Sequence, residues 1–268
     1  LHGGITGVTN QGQDFSIGSP HLEPEKSTNY EIGAYYDNLN GFKANATVFY
    51  TQFDDKIETI RDVDIADNPY VPDGEYNQKY NIGEAETRGI ELASSWQFAE
   101  NWTVRGNYTY TDSEQKNGEN PGAKLTNTPE HVFHARLNWK ATDQLDLWLS
   151  GEYRGERDRF LINQENYGNK EKAEYKAVGN ELDAYTLFHL GGAYKASDSV
   201  TLTATIYNLF DKDFLSGDAY SYTEEQKDGS METFNAFASD YILQGRGMAQ
   251  GGTIEQGRRL WLSATVEF

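Results

Sequence analysis

The 268 residues carry 42 Asp plus Glu against 23 Lys plus Arg, a net charge of −19, and no cysteine. That balance excludes nucleic acid as a partner, because phosphate binding needs a basic footprint, and the missing thiols exclude a disulfide framework and a thiolate metal centre. With 18 Tyr, 13 Phe and 5 Trp the chain is too aromatic to be disordered, and no run approaches the roughly 20 apolar residues of a spanning helix.

From Tyr30 onward, segments of period two follow one another with hardly a helical interlude. Trp102, Val104, Gly106, Tyr108 and Tyr110 alternate with Thr103, Arg105, Asn107, Thr109 and Thr111. Phe133, Ala135, Leu137 and Trp139 alternate with His134, Arg136, Asn138 and Lys140. Val200, Leu202, Ala204 and Ile206 alternate with Thr201, Thr203, Thr205 and Tyr207, and Leu260, Leu262, Ala264, Val266 and Phe268 close the chain in the same way. One side of each strand is greasy and the other wet. The pattern predicts roughly nine strands, beginning near Tyr30, Phe42, Tyr80, Trp102, His131, Leu145, Tyr185, Val200 and Arg259.

The connections alternate in length. Asp37 to Gly41, Ala99 to Asn101, Ala141 to Gln144 and Ala196 to Ser199 are short and rich in turn residues. Those around Arg61 to Gln78, Ser113 to Pro129, Phe160 to Leu182 and Asp211 to Gly257 are long, polar and acidic. Short turns on one rim and long loops on the other describe a transmembrane β-barrel of the outer-membrane type. Tyr36, Phe42, Trp96, Phe98, Trp102, Trp139 and Tyr194 gather near the short turns, where such a barrel carries its aromatic girdle. The alternative is a soluble barrel or adhesion sandwich with the same aromatics in its core. On the polar side, Arg105, Arg136, Lys140, Asp146, Glu152 and Glu267 are too many charges for a small dry interior, so the lumen is expected to be wide or plugged. Nine strands leave two edges, and plugged barrels have about 22 strands. Residues 1–268 are therefore expected to be the C-terminal part of a larger barrel. The start at Leu1 has no signal-peptide pattern and reads as a processed terminus or a point inside a longer protein.

Three stretches resemble the TonB-dependent outer-membrane receptors: LEPEKSTNYEIG (Leu22 to Gly33), NIGEAETRGIE (Asn81 to Glu91) and NLFDKDF (Asn208 to Phe214), followed by a last strand ending in Phe. ATIYNLFDKDF and GRRLWLSATVEF are most similar to the catecholate-siderophore branch. The resemblance implies uptake of a ferric siderophore, energised by TonB with ExbB and ExbD, with a haem or cobalamin receptor as the neighbouring possibility. It also implies outer-membrane lipid and lipopolysaccharide around the barrel, bacteriocins or phage as opportunistic ligands, and Phe268 as the mark read by the barrel-assembly machinery. The family's plug domain and TonB box have no counterpart in these residues.

A ferric catecholate is anionic with aromatic faces, so its site calls for Arg or Lys beside Tyr, Trp or Phe. Tyr153, Arg154, Arg157, Arg159 and Phe160 have that composition at a long-loop end, and Tyr241 with Arg246 supplies a second cluster. Alternation turns Arg154 inward; Arg105 and Arg136 face the expected plug. The alternative for these arginines is neutralisation of neighbouring carboxylates. His131 and His134 are three apart on a strand, so they point to opposite sides and cannot chelate one ion. Asp62 to Asp67 lacks the Gly and Glu of an EF-hand loop. Arg88 lies on the apolar side near a rim, within reach of lipopolysaccharide phosphate. No Gly-rich phosphate loop, nucleophile elbow or triad is present, which argues against a barrel enzyme. No bound metal or covalent cofactor is expected; the iron would arrive with its chelator.

Overall fold

A computed structural model describes residues 5–9, 14–17, 19, 21–64, 75–117, 121–159, 168–226, 228–242 and 256–267. Strands β1 (Ile5–Thr9) and β2 (Asp14–Ile17) form a short antiparallel ribbon. The long strands follow: β3 (Lys26–Asp37), β4 (Phe42–Asp64), β5 (Glu75–Ala99), β6 (Trp102–Gln115), β7 (His131–Lys140) and β8 (Leu145–Arg154). After β8 come β9 (Arg157–Asp158), helix α1 (Asn169–Val178), β10 (Glu181–Leu182), β11 (Tyr185–Ser197), β12 (Val200–Tyr207), the pair β13 (Gly217–Glu225) and β14 (Met231–Ser239), and β15 (Arg259–Val266). The principal sheet has 11 strands; setting aside the β1–β2 ribbon leaves the nine expected from the sequence. Among the described strands, β3 pairs only with β4 and β15 only with β12, so the order is open at both ends.

Turn chemistry at the short connections is what the sequence calls for. In the first, Asp37 Oδ1 accepts from the Leu39 N–H and Asn38 Oδ1 from the Phe42 N–H, while Leu39 and Gly41 take positive φ. Thr142 Oγ1 accepts from the Leu145 N–H in the same manner.

The chain divides into two compact units. The first comprises 1–30, 50–87 and 113–123, and its strands are tied by side chains from the stretches singled out above. The Asn81 amide donates to the carbonyls of Glu23 and Asp55 at 2.8 and 2.7 Å. Glu25 accepts from the Ile57 N–H, and Lys116 pairs with Glu86 at 2.6 Å.

The second unit comprises 31–49, 88–112 and 124–268. Its registers separate two faces cleanly. Leu190 lies opposite both Leu149 and Ile206; Leu202 lies opposite Ala264 and Tyr194, and Leu137 opposite Leu149. The other face holds Arg105 opposite Arg136, His134 opposite Glu152, and Lys140 opposite Asp146. Leucines on the apolar face are uncovered: Leu202 is 45 % and Leu262 68 % exposed. In NIGEAETRGIE, Gly89 serves close approach, since a Cβ there would stand 1.9 Å from the Tyr110 carbonyl oxygen.

Two regions expected to be loop are ordered. NKEKAEYKAV forms α1 because it lacks Pro and β-branched residues apart from its last, and it stops at Gly179, whose φ of +73° admits the turn and whose N–H donates to Tyr175 O at 2.9 Å. Within Asp211 to Gly257, β13 and β14 pair from Gly217–Ser239 to Glu225–Met231 across a turn at Asp228 and Gly229. Helix α1 packs on this hairpin. Among the described residues, a small buried hydrophobic cluster comprises Tyr185, Leu187 and Phe214, with Tyr241 and Ile242 against them.

Candidate functional site

The site is built where β8 and β11 meet the long connections. Tyr185 and Leu187 continue the polar face of β11 but are buried, because Phe214 and Tyr241 cover them. The three rings pack edge to face, with Tyr185–Phe214 centroids 5.0 Å apart and Phe214–Tyr241 5.6 Å apart. Cations flank them: Lys212 Nζ lies 3.9 Å from the Tyr241 ring centre, and the Arg157 guanidinium 5.6 Å from that of Tyr185.

The NLFDKDF turn fixes this arrangement. Asn208 and Asp211 adopt left-handed φ of 48° and 56°, which Asn and Asp tolerate best among residues with a Cβ. The Asn208 carboxamide accepts from the Lys212 N–H and donates to the carbonyls of Lys212 and Gln256; Asp211 Oδ1 accepts from the Arg258 N–H. The Asn208 N–H donates to His189 Nδ1 at 3.0 Å, which leaves the proton of a neutral ring on Nε2, 3.5 Å from Glu152. His134 approaches the other oxygen of Glu152 at 4.0 Å.

The candidate residues take different places. Arg154 is exposed at the end of β8 on the polar face, in register with Val132 and Tyr185, and among the described residues it has no ion-pair partner. Tyr153 is in register with Phe133 on the apolar face, so strict alternation points it away from Arg154.

Arg157 and Arg159 are buried at 5 % and 2 % exposure and engage protein partners. Arg157 donates to Tyr241 O; burial draws its pKa down, and repulsion from Arg154 adds to that. Arg159 donates to Ser239 O at 2.5 Å and pairs with Glu174 of α1 at 3.3 Å, and the Tyr220 hydroxyl donates to the same carboxylate at 3.1 Å. Burial, then Glu174, pushes the Tyr220 phenol well above its usual range. Neutralisation of a carboxylate is thus what Arg159 does: it joins the β8–β11 connection to the β12–β15 hairpin. Tyr241 is half-buried in the ring cluster. Phe160, Arg246 and Phe268 lie outside the described residues, as do Asp67 and the side chains of Asp62 and Asp64.

Tyr185, Phe214 and Lys212 were not singled out by the sequence. Lys212 and Phe214 stand inside NLFDKDF, where they served only as a family mark, and Tyr185 precedes Leu187 with the parity of the polar face. His131 and His134 do point to opposite faces: the Tyr108 hydroxyl meets His131 Nδ1 at 2.8 Å, whereas His134 faces Glu152. Arg88 places Nε and Nη2 on Asp112 at 2.9 and 2.8 Å.

At the short-turn rim, Trp102 and Trp139 stack at 5.1 Å with planes 6° apart, and Phe98 and Trp96 extend the row. Above the rim the apolar face has two shallow grooves of about 590 and 800 Å³, one floored by Ala46, Gly106 and Ala135 and the other by Gly192, Ala204 and Ala264. An uncovered leucine face edged by aromatic rings is built for hydrocarbon. Among the described residues no helix is long and apolar enough to cross a membrane.

Comparison with known proteins agrees. Residues 3–209 match the family described as TonB dependent receptor-like, beta-barrel. The iron-regulated outer membrane virulence protein of Vibrio cholerae is 30 % identical over 94 % of this chain, which spans 32 % of that relative. The ferric enterobactin receptor of Pseudomonas aeruginosa is 30 % identical over 73 % of the chain and 26 % of its own length. A crystal structure of that receptor superposes with a TM-score of 0.67 at 24 % identity, covering 95 % of this chain and 33 % of that one. The 268 residues thus span about a third of the relatives they match, and they belong to the TonB-dependent receptor β-barrel family.

Proposed function

We propose that the complete protein is an outer-membrane receptor that imports a ferric siderophore, of the catecholate class, with energy delivered through TonB. The observation that carries the cargo class is the cation and ring assembly at the long-loop end: exposed Arg154 beside the Arg157–Tyr185 stack, with Lys212 over Tyr241. A trianionic chelate with aromatic faces meets the charge of exposed Arg154 and, at the half-buried edge of the cluster, the cation and ring of Lys212 and Tyr241. Relatives named for ferric enterobactin and for catecholate siderophores support the same class. Arg157 and Arg159 hold the loops in place for Arg154 rather than meeting the cargo. The rest of the receptor supplies the plug and the TonB contact, with ExbB and ExbD behind TonB. Residues 1–268 are read as the C-terminal part of its barrel, inserted by the barrel-assembly machinery among lipid and lipopolysaccharide, where bacteriocins or phage would find it. Its work is transport rather than catalysis.

The test is uptake of radioiron by iron-starved cells carrying the receptor as their sole route, offered as a catecholate, a hydroxamate or haem, with labelled cobalamin alongside because a vitamin B12 transporter is also a relative. Catecholate iron should accumulate only when TonB is present. Arg154→Ala should weaken catecholate binding about tenfold, the loss of one charge-assisted contact, with normal receptor abundance. Accumulation of haem or cobalamin alone would overturn the cargo assignment.

A further inference from the structure

The NLFDKDF turn rests on an imidazole. Asn208 is 3 % exposed; its N–H donates to His189 Nδ1 at 3.0 Å, and its carboxamide holds the backbone of Lys212 and the Gln256 carbonyl. A buried N–H that loses its acceptor bears the full desolvation cost of the group. The accepting nitrogen must therefore carry no proton. Only the neutral ring meets that condition, because both nitrogens of an imidazolium are donors.

The other side of the ring makes the opposite demand. Glu152 Oε1 of β8 lies 3.5 Å from His189 Nε2, and the second oxygen of Glu152 lies 4.0 Å from His134 of β7. The Tyr207 ring of β12 stands edge-on at 5.5 Å, with the Arg259 guanidinium of β15 4.7 Å from that ring. Arg154 follows Glu152 on the same face of β8, and in the connection after β12 Asp211 is taken up by Arg258 at 3.7 Å. Among these groups Glu152 is the charge next to the imidazole, and it favours the cation, whereas the Asn208 N–H opposes it. Only 15 % of the His189 side chain is exposed and Tyr207 lies against it, so the ring has little room to turn. Histidine is the side chain that ordinarily changes charge between pH 5 and 8.

We propose that His189 is a positioning residue that latches the NLFDKDF turn while neutral and releases it when protonated, so that Lys212 is held over Tyr241 in neutral medium and loosened in acid. A proton taken from the medium on Nδ1 points at the Asn208 N–H, donor against donor. The Nε2 proton stays with Glu152, so the turn moves rather than the ring. Asn208 takes Lys212 with it, because the two are joined by paired hydrogen bonds at 3.0 and 2.8 Å. The consequence for cargo rests on the catecholate reading; the latch itself does not.

The experiment uses the complete receptor in lipid nanodiscs, as the parent, His189→Asn and His189→Leu. Asparagine keeps an acceptor near the place of Nδ1 and takes no charge. Hydrogen exchange of the peptide 207–214 is read as protection, so that the intrinsic pH dependence of exchange cancels. Between about pH 7.5 and about pH 5.5, protection should fall about tenfold in the parent, as expected for a buried donor left without its acceptor. It should stay level in His189→Asn and lie about tenfold low at both pH values in His189→Leu. Affinity for the ferric complex of a tris-catecholate should follow the same pattern, read as parent against His189→Asn because protonation of the chelate affects both alike. Equal loss of protection in the parent and His189→Asn, or level protection in both, overturns the latch. Should His189→Leu fail to fold, the parent against His189→Asn decides alone. A latch seen in exchange, with catecholate affinity running parallel in the two proteins, keeps His189 in its role and sinks the cargo reading.

Discussion

Replacing Leu190 with arginine measures whether hydrocarbon lies behind the sheet. Leu190 is two outward steps along β11 from Tyr194 at the aromatic rim, and its ladder neighbours are Leu149 and Ile206. Four residues at about 3.4 Å each, on a strand tilted by about 40°, raise it about 10 Å above the rim, near the middle of an apolar band about 25 Å tall. Arginine at that depth should cost about 2–4 kcal/mol, roughly 30- to 900-fold in the folding constant. Leu202→Arg, in register with Tyr194 at the rim, should cost about 0–1 kcal/mol. Thr203→Arg, on the polar face opposite Ala193 and Ser263, should cost almost nothing. The assay is urea unfolding of the complete receptor in lipid vesicles, followed by tryptophan fluorescence and gel migration. If Leu190→Arg and Thr203→Arg agree within about 0.5 kcal/mol, the apolar face does not meet lipid.

Arg159→Ala should destabilise the contact of α1 with the hairpin by about 3–5 kcal/mol, because Glu174 would remain buried with one partner fewer; hydrogen exchange should quicken in α1, β13 and β14 while β11 and β12 keep their protection, and unchanged exchange in the hairpin would refute it. The Asp240 carboxyl is raised above the ordinary range by burial, then by Asp183 and Asp218. The folded state therefore keeps that proton to higher pH than the unfolded chain, so the stabilisation is full in acid and fades as pH rises through the folded value. Asp240→Asn should flatten that part of the pH profile and stabilise the hairpin at neutral pH, and a profile identical to the parent's would refute it.

Alternation carried most of the fold into the sequence. A strand with lipid on one side and water on the other must write leucine against threonine, as Leu202 and Thr203 do, so the nine long strands, four turns and the aromatic rim were legible. Helix α1 was not, because its charged face has no apolar stripe of its own; its order depends on a hairpin in another connection. The hairpin's Asp228-Gly229 turn was there to be read, but Thr, Ser and Glu on its flanks resemble a solvated loop. At the site, composition found the arginines without their directions. Arg154 follows strict parity, whereas Arg157 and Arg159 lie past the strand's end, where parity no longer applies and tertiary partners decide. The Tyr185–Phe214 contact joins the start of β11 to the connection after β12, which no local pattern records.

The joining of α1 to the hairpin has a practical side. Any antibody to this patch meets a shape made from two distant stretches of chain, so serum raised against either peptide alone should ignore the folded protein. Tags and grafted epitopes face the same constraint: lengthening one stretch loosens the other, and both must be redesigned together.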